Sequence, residues 1–167
     1  MSRVSEFIVG LFANEAAAQA AVAGAPPASV AASFTSQVVA TAWLHTTPGT
    51  TVTTGQDGAV LACSNARSAE QLSTQPDPLA AEALRAAVDS FAALQVFPDG
   101  RFAVATDRFA SRPLYQAQAR DGSLWFATDL RLLLGVPGID SAIDEQAVFN
   151  FIHFLVFPGP RTVFRGV

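Results

Sequence analysis

Apolar positions in this chain fall into short blocks separated by turn residues. Residues 34–44 and 50–54 are dominated by β-branched and aromatic side chains, which fit the pleated, half-buried surface of a sheet. Pro48-Gly49 lies between these two blocks and predicts a hairpin. Asp57-Gly58 then leads into a third strand over residues 59–63, so three strands are expected to follow one another as an antiparallel meander. Further along, residues 91–97 and 101–106 flank Pro98-Asp99-Gly100, and residues 113–119 and 123–127 flank Asp121-Gly122; each pair reads as a hairpin. Helices are expected between these strands. Asn14 is placed to cap one that runs to Ala23 and stops at Gly24 before Pro26-Pro27. Asp77-Pro78 opens a second over residues 78–88. Thr128 is expected to cap a short one ending at Gly135, and Asp144 stands near the start of a longer one reaching about Leu155. Hairpins with helices grouped between them predict an α+β fold built on antiparallel sheets, not a doubly wound parallel sheet. With 167 residues and no internal repeat or low-complexity linker, a single domain over residues 1–167 is expected.

Composition narrows the function classes. Half of the residues are apolar and only 14% are charged, which supplies a core and excludes a disordered chain. All ten basic residues are arginine and the net charge is −4; without a clustered basic stripe, a nucleic-acid partner is excluded. The densest apolar blocks, residues 7–12 and 148–157, fall far short of the roughly 20 residues that span a bilayer, so no membrane partner is expected. Arg3 precedes a short apolar run with no cleavage-site pattern, which argues against a secretory signal. Cys63 is the only cysteine, leaving no internal disulfide and no cysteine metal cluster and pointing to the cytoplasm. It reads as a small buried apolar residue. His45 and His153 lack a ligand pattern and read as core or surface residues, so neither a metal nor a cofactor is expected. Between Glu15 and Asp57 there are 41 consecutive residues without Asp, Glu, Lys or Arg, a stretch expected inside the fold or beneath a partner.

The second half carries more specific signals. RFAVATDRFASRPLY (residues 101–115) is followed by LWFATDLRLLL, then IDEQAVFNFIHFL, and finally GPRTVFRGV. In this order the segments resemble the N-terminal, glutaminase-type domain of asparagine synthetases and related ligases, including β-lactam synthetases and lasso-peptide cyclases. The resemblance covers residues 89–167 well and the first half loosely. It implies an N-terminal-nucleophile hydrolase fold, an αββα sandwich of two stacked antiparallel sheets between helix layers.

In that family the nucleophile is an N-terminal cysteine whose free α-amino group acts as the base, so the first position is a chemical requirement. The best register sets EFIVGLF of this chain against the family's CGIVGIF, which places Glu6 at the nucleophile position behind five preceding residues. A carboxylate there is a poor nucleophile, and a peptide nitrogen is no base. Removal of Met1 would expose Ser2, the alternative nucleophile. The family binds the glutamine carboxylate with an arginine, whose fork of donors matches it, yet no arginine occurs between Arg3 and Arg67. Ser64, Asn65 and Ala66 stand where the family carries its oxyanion-hole asparagine and glycine. Asp89 stands opposite the aspartate that binds the substrate amino group. Asp107, Arg108, Arg112 and Pro113 match residues that order the hairpin beside the pocket. Ala110 replaces the family's glycine, which is tolerable only at negative φ and suggests a relaxed loop.

The resemblance therefore implies a degenerate, non-catalytic glutaminase-like domain serving as a structural or docking module of an asparagine-synthetase-like, ATP-dependent amide ligase, for asparagine-type synthesis or peptide macrolactam formation. The family's pyrophosphate loop, SGGxDS, does not occur in these 167 residues, so the synthetase domain is expected elsewhere, with a precursor peptide as a further partner. Residues 149–157, with apolar side chains on several faces, are expected either to meet that partner or to be buried within the domain. Two alternatives are an active glutaminase acting through Ser2 and a binding module for a small molecule or peptide.

Overall fold

The computed structural model describes residues 6–13, 16–18, 20, 35–39, 42–47 and 49–167. Nine strands form two antiparallel sheets among these residues. Strands β1 (Phe7–Leu11), β2 (Thr35–Val39), β3 (Ala42–Thr46), β8 (Tyr115–Gln118) and β9 (Leu124–Ala127) make the first sheet, in the order β2-β3-β1-β9-β8. Strands β4 (Thr51–Thr54), β5 (Val60–Cys63), β6 (Ala92–Val96) and β7 (Phe102–Thr106) make the second, in chain order. Helices α1 (Ala66–Ser73) and α2 (Ala81–Ala86) follow β5, and α3 (Leu130–Leu134) and α4 (Glu145–Phe154) follow β9.

Packing sorts these elements into four layers. Between the sheets, Phe7, Val9, Leu44, Ala62, Leu94 and Phe126 belong to one buried cluster. On the outer face of the first sheet, Ile8, Trp43 and Trp125 pack with Leu132 and Leu133 of α3. On the outer face of the second, Leu61, Cys63 and Ala93 pack with Ala69 and Leu72 of α1 and Ala83 of α2. The result is the expected αββα sandwich. Strand β1 is apolar throughout because both of its faces are covered, and the five residues of β6 are likewise all buried, with Gln95 the one polar side chain among them. Gly10 is required where it stands. A Cβ there would lie 2.8 Å from two ring atoms of Trp125, the residue directly opposite on β9.

Several expectations need correction. Residues 34–44 are not one strand. Strands β2 and β3 pair with each other, with Val39 opposite Ala42, and β4 lies in the other sheet, paired with β5. The chain thus passes from one sheet to the other between Thr46 and Thr51, and the three-strand meander reduces to one hairpin. Helix α2 starts at Ala81, three residues later than expected. Thr128 does not cap α3; Asp129 does, accepting from the Arg131 N–H, while the Thr128 hydroxyl accepts from the Phe7 N–H at 3.0 Å. Helix α1 was not anticipated. Asn65 caps it, accepting from the Ser68 N–H at 3.1 Å. The remaining hairpins stand as expected, as does α4 with Asp144 at its cap. Of the helix expected from Asn14 to Ala23, residues 16–18 and 20 are helical, and the rest lies outside the described residues. No helix among the described residues is long and apolar enough to cross a membrane.

Candidate functional site

Strand registers bring the sequence-predicted site residues to one end of the sandwich. Strand β1 starts there beside the end of β3, with Phe7 opposite Thr46, and beside the end of β9, with Ile8 opposite Ala127. In the second sheet β4 starts opposite the end of β5 (Thr51 with Cys63), and β6 starts opposite the end of β7 (Ala92 with Thr106). A hydrogen bond fixes the two ends together: the Thr50 hydroxyl donates to the Glu6 carbonyl at 2.8 Å. Glu6, Ser64, Asn65 and Asp89 therefore all border this end, although they come from three segments of the chain.

At the head of β1 the backbone is clasped on both sides. The Glu6 N–H donates to the Thr47 hydroxyl at 2.9 Å, and the Glu6 carbonyl accepts from the Thr47 N–H at 2.9 Å. The Glu6 side chain is only 13% exposed and lies 4.0 Å from the Arg131 guanidinium. Arg131 also forms a close ion pair with Asp129. Partial burial and then the neighbouring Asp129 charge raise the Glu6 pKa, with Arg131 and Arg112 pulling the other way. The Arg131 hydrogen bond, working against burial, lowers the Asp129 pKa. Of the two carboxyls, Asp129 thus carries the charge more readily and Glu6 the proton. Nothing in this pair supplies a nucleophile with an adjacent free amine.

The second sheet contributes the other predicted residues. Ser64 is buried, and its backbone N–H donates to the Ala92 carbonyl while its hydroxyl accepts from the Ala92 N–H, both at 3.0 Å. These two bonds extend the ladder between β5 and β6 by one residue. The Asn65 Oδ1 is committed to the α1 cap. Asp89 precedes β6 and pairs with Arg67 at 3.6 Å, which ties the Asn65 turn to the α2–β6 connection. Asp89 also lines a cleft of about 870 Å³ with Arg85, Asp107, Arg108, Phe109 and Ser111. The cleft holds side chains of both charges.

The loop on the far wall of this cleft is not relaxed. Ala110 has φ +48°, the left-handed region that costs a residue with a Cβ about 1–2 kcal/mol. Asp107 holds it there. Its carboxylate accepts from the N–H groups of Phe91 (3.2 Å), Phe109 (3.0 Å) and Ser111 (3.0 Å) and from the Ser111 hydroxyl (3.0 Å). Burial opposes ionisation of Asp107, but these donors outweigh it and lower its pKa.

Cys63 is buried on the helix-covered face of β5, and its Sγ donates to the Asn65 carbonyl at 3.4 Å. Burial raises its pKa, which makes the thiolate scarce. His45 stacks on Trp43 at 5.1 Å, and burial lowers its pKa. His153 lies on α4, one ring nitrogen 2.8 Å from the Phe149 carbonyl. Ser2 lies outside the described residues. Sequence reasoning missed Thr47, Thr50, Thr128, Asp129 and Arg131. Of these only Thr128 and Asp129 carried a signal, as the residues ahead of an apolar helical run.

An αββα sandwich with its sequence-matched residues gathered at one end defines the architecture of this chain. Residues 82–167, just over half of the chain, match the model of a family described as a glutamine amidotransferase domain, and the chain belongs to that family. No curated protein matches it.

Proposed function

We propose that this glutamine amidotransferase domain does not hydrolyse glutamine and instead serves as a structural or docking module of an asparagine-synthetase-like amide ligase. The head of β1 carries the reading. At Glu6 a carboxyl whose pKa is raised by partial burial stands where the resemblance sets the nucleophile, and the backbone nitrogen is a peptide N–H donated to Thr47. A peptide nitrogen has no available lone pair to act as a base. A docking role is supported by α4 and the residues after it, where Phe149, Ile152, Phe154, Leu155 and Val156 are all more than half exposed. A contiguous apolar surface of this kind favours association.

The test is a glutaminase assay on protein whose N-terminus has been verified by mass spectrometry, run alongside Ser2→Ala. No glutamate release above the uncatalysed rate is expected from either. Release that disappears in Ser2→Ala would overturn the proposal in favour of an active enzyme using Ser2. In parallel, sedimentation with a synthetase domain bearing the pyrophosphate loop should give a complex at micromolar concentration that Ile152→Asp weakens; no complex would refute the docking role.

A further inference from the structure

We propose that a second cleft, at the opposite end of the outer face of the second sheet from Asp89, binds a small organic cation through N–H donors. Helices α1 and α2 cover Leu61, Cys63, Phe91 and Ala93 on this face, but Gln95, the next outward residue of β6, lies beyond them. Gln95 is only 4% exposed, and its Oε1 has no hydrogen-bond partner. An unpaired amide oxygen in such a position costs free energy unless a donor reaches it.

Gln95 lines a cleft of about 450 Å³, within the range of small-ligand sites. Thr53 and Asp57 form one wall and Ser73, Thr74 and Pro76 the other. The lining is rich in acceptors. The Ser73 and Thr74 hydroxyls donate back to the Glu70 and Gln71 carbonyls at 3.1 and 2.8 Å, leaving their oxygen lone pairs for a guest. The C-terminal end of α1, where partial negative charge accumulates, borders the cleft through the same residues. Asp57 is the one ionisable residue among those lining it. A carboxylate, a helix C-terminus and an orphan amide oxygen, with no cation among the lining residues, complement a positively charged N–H donor. Leu61 and Ala59 offer apolar surface to a short aliphatic chain.

The experiment is a titration of the full chain followed by two-dimensional amide NMR, using four probes with the same four-carbon chain. Butylguanidinium presents a guanidinium, butylammonium an ammonium, 1-butanol a neutral hydroxyl and butyrate an anion. Saturable shifts at residues 53–57, 73–75 and 95 are expected with butylguanidinium and butylammonium only, and the tighter of the two identifies the preferred cation. Gln95→Leu should weaken binding about tenfold, and Asp57→Asn, on an exposed turn, about threefold. Should Gln95→Leu fail to fold, Asp57→Asn decides alone. Absence of saturable shifts, equal response to butyrate, or unchanged affinity in the folded variants would overturn the proposal.

Discussion

Replacing Ala110 with glycine should stabilise this protein. Most substitutions from alanine to glycine destabilise, because glycine gains freedom in the unfolded chain worth about 0.4–1 kcal/mol. At Ala110 the sign reverses, since φ is +48° and the Cβ costs about 1–2 kcal/mol there. The strained conformation persists because Asp107 accepts four hydrogen bonds across the loop. At about 0.5–1.5 kcal/mol each, those bonds exceed the strain they maintain. Glycine keeps all four and removes the strain, for a net gain of about 0.5–1 kcal/mol. In a protein of this size that raises Tm by about 1–4 °C, measured by circular dichroism at neutral pH. A fall in Tm of 2 °C or more would refute the reasoning, because it would mean that Ala110 occupies a negative φ in solution and that the loop is not held by Asp107.

Two further outcomes follow from the packing and charge of β1. Gly10→Ala should cost about 2–3 kcal/mol, because its Cβ would meet Trp125 at 2.8 Å and Phe12 at 3.0 Å, and Trp125 is anchored by a 2.8 Å bond from Nε1 to the Ser123 hydroxyl; a Tm within about 1 °C of the parent would contradict this. Glu6→Gln should stabilise the protein above pH 4.5 and leave it unchanged well below. The raised pKa of Glu6 means that its contribution to stability is fully present below the ordinary value of 4.5 and is lost as pH rises through the folded value. Asp129, with its lowered pKa, contributes in the opposite sense, losing stability only as pH falls below 3.8. Denaturant midpoints at pH 4 and pH 7 separate the two; an equal difference between variant and parent at both pH values would show that Glu6 does not favour its proton.

How much of this could be read from the residues depended on how far each interaction reaches along the chain. The hairpins around residues 98–100 and 121–122 were legible because a tight turn is specified by a few adjacent residues, here Asp-Gly pairs with Gly100 and Gly122 at positive φ. The reversal between β2 and β3 was not, because Ala40 and Thr41 carry no turn signal within a continuous sheet-forming run. The assignment of β4 to the second sheet was equally hidden, since it depends on pairing with β5 and not on anything in its own four residues. At the site, resemblance located Glu6, but the threonines that clasp it did not stand out. The Thr47 and Thr50 bonds to Glu6 join positions 41 and 44 residues apart in the chain, and the Thr128 bond to Phe7 spans 121.

That separation also distinguishes the interactions that hold the architecture from those that meet the side chains at its end. The family match spans residues 82–167, which include β6, β7, β8 and β9, and β6 and β9 supply partners for β1 in the core between the sheets. Phe7, Val9 and Leu11 bury against Leu94, Val96 and Phe126, and those contacts demand a strand of the right shape and hydrophobicity. Glu6 lies just outside this core. Its backbone groups are fixed by Thr47 and Thr50, and backbone donors and acceptors place no condition on the side chain. The core can therefore hold β1 in place independently of the side chain at position 6, so the sandwich and the chemistry at its end are specified by different residues.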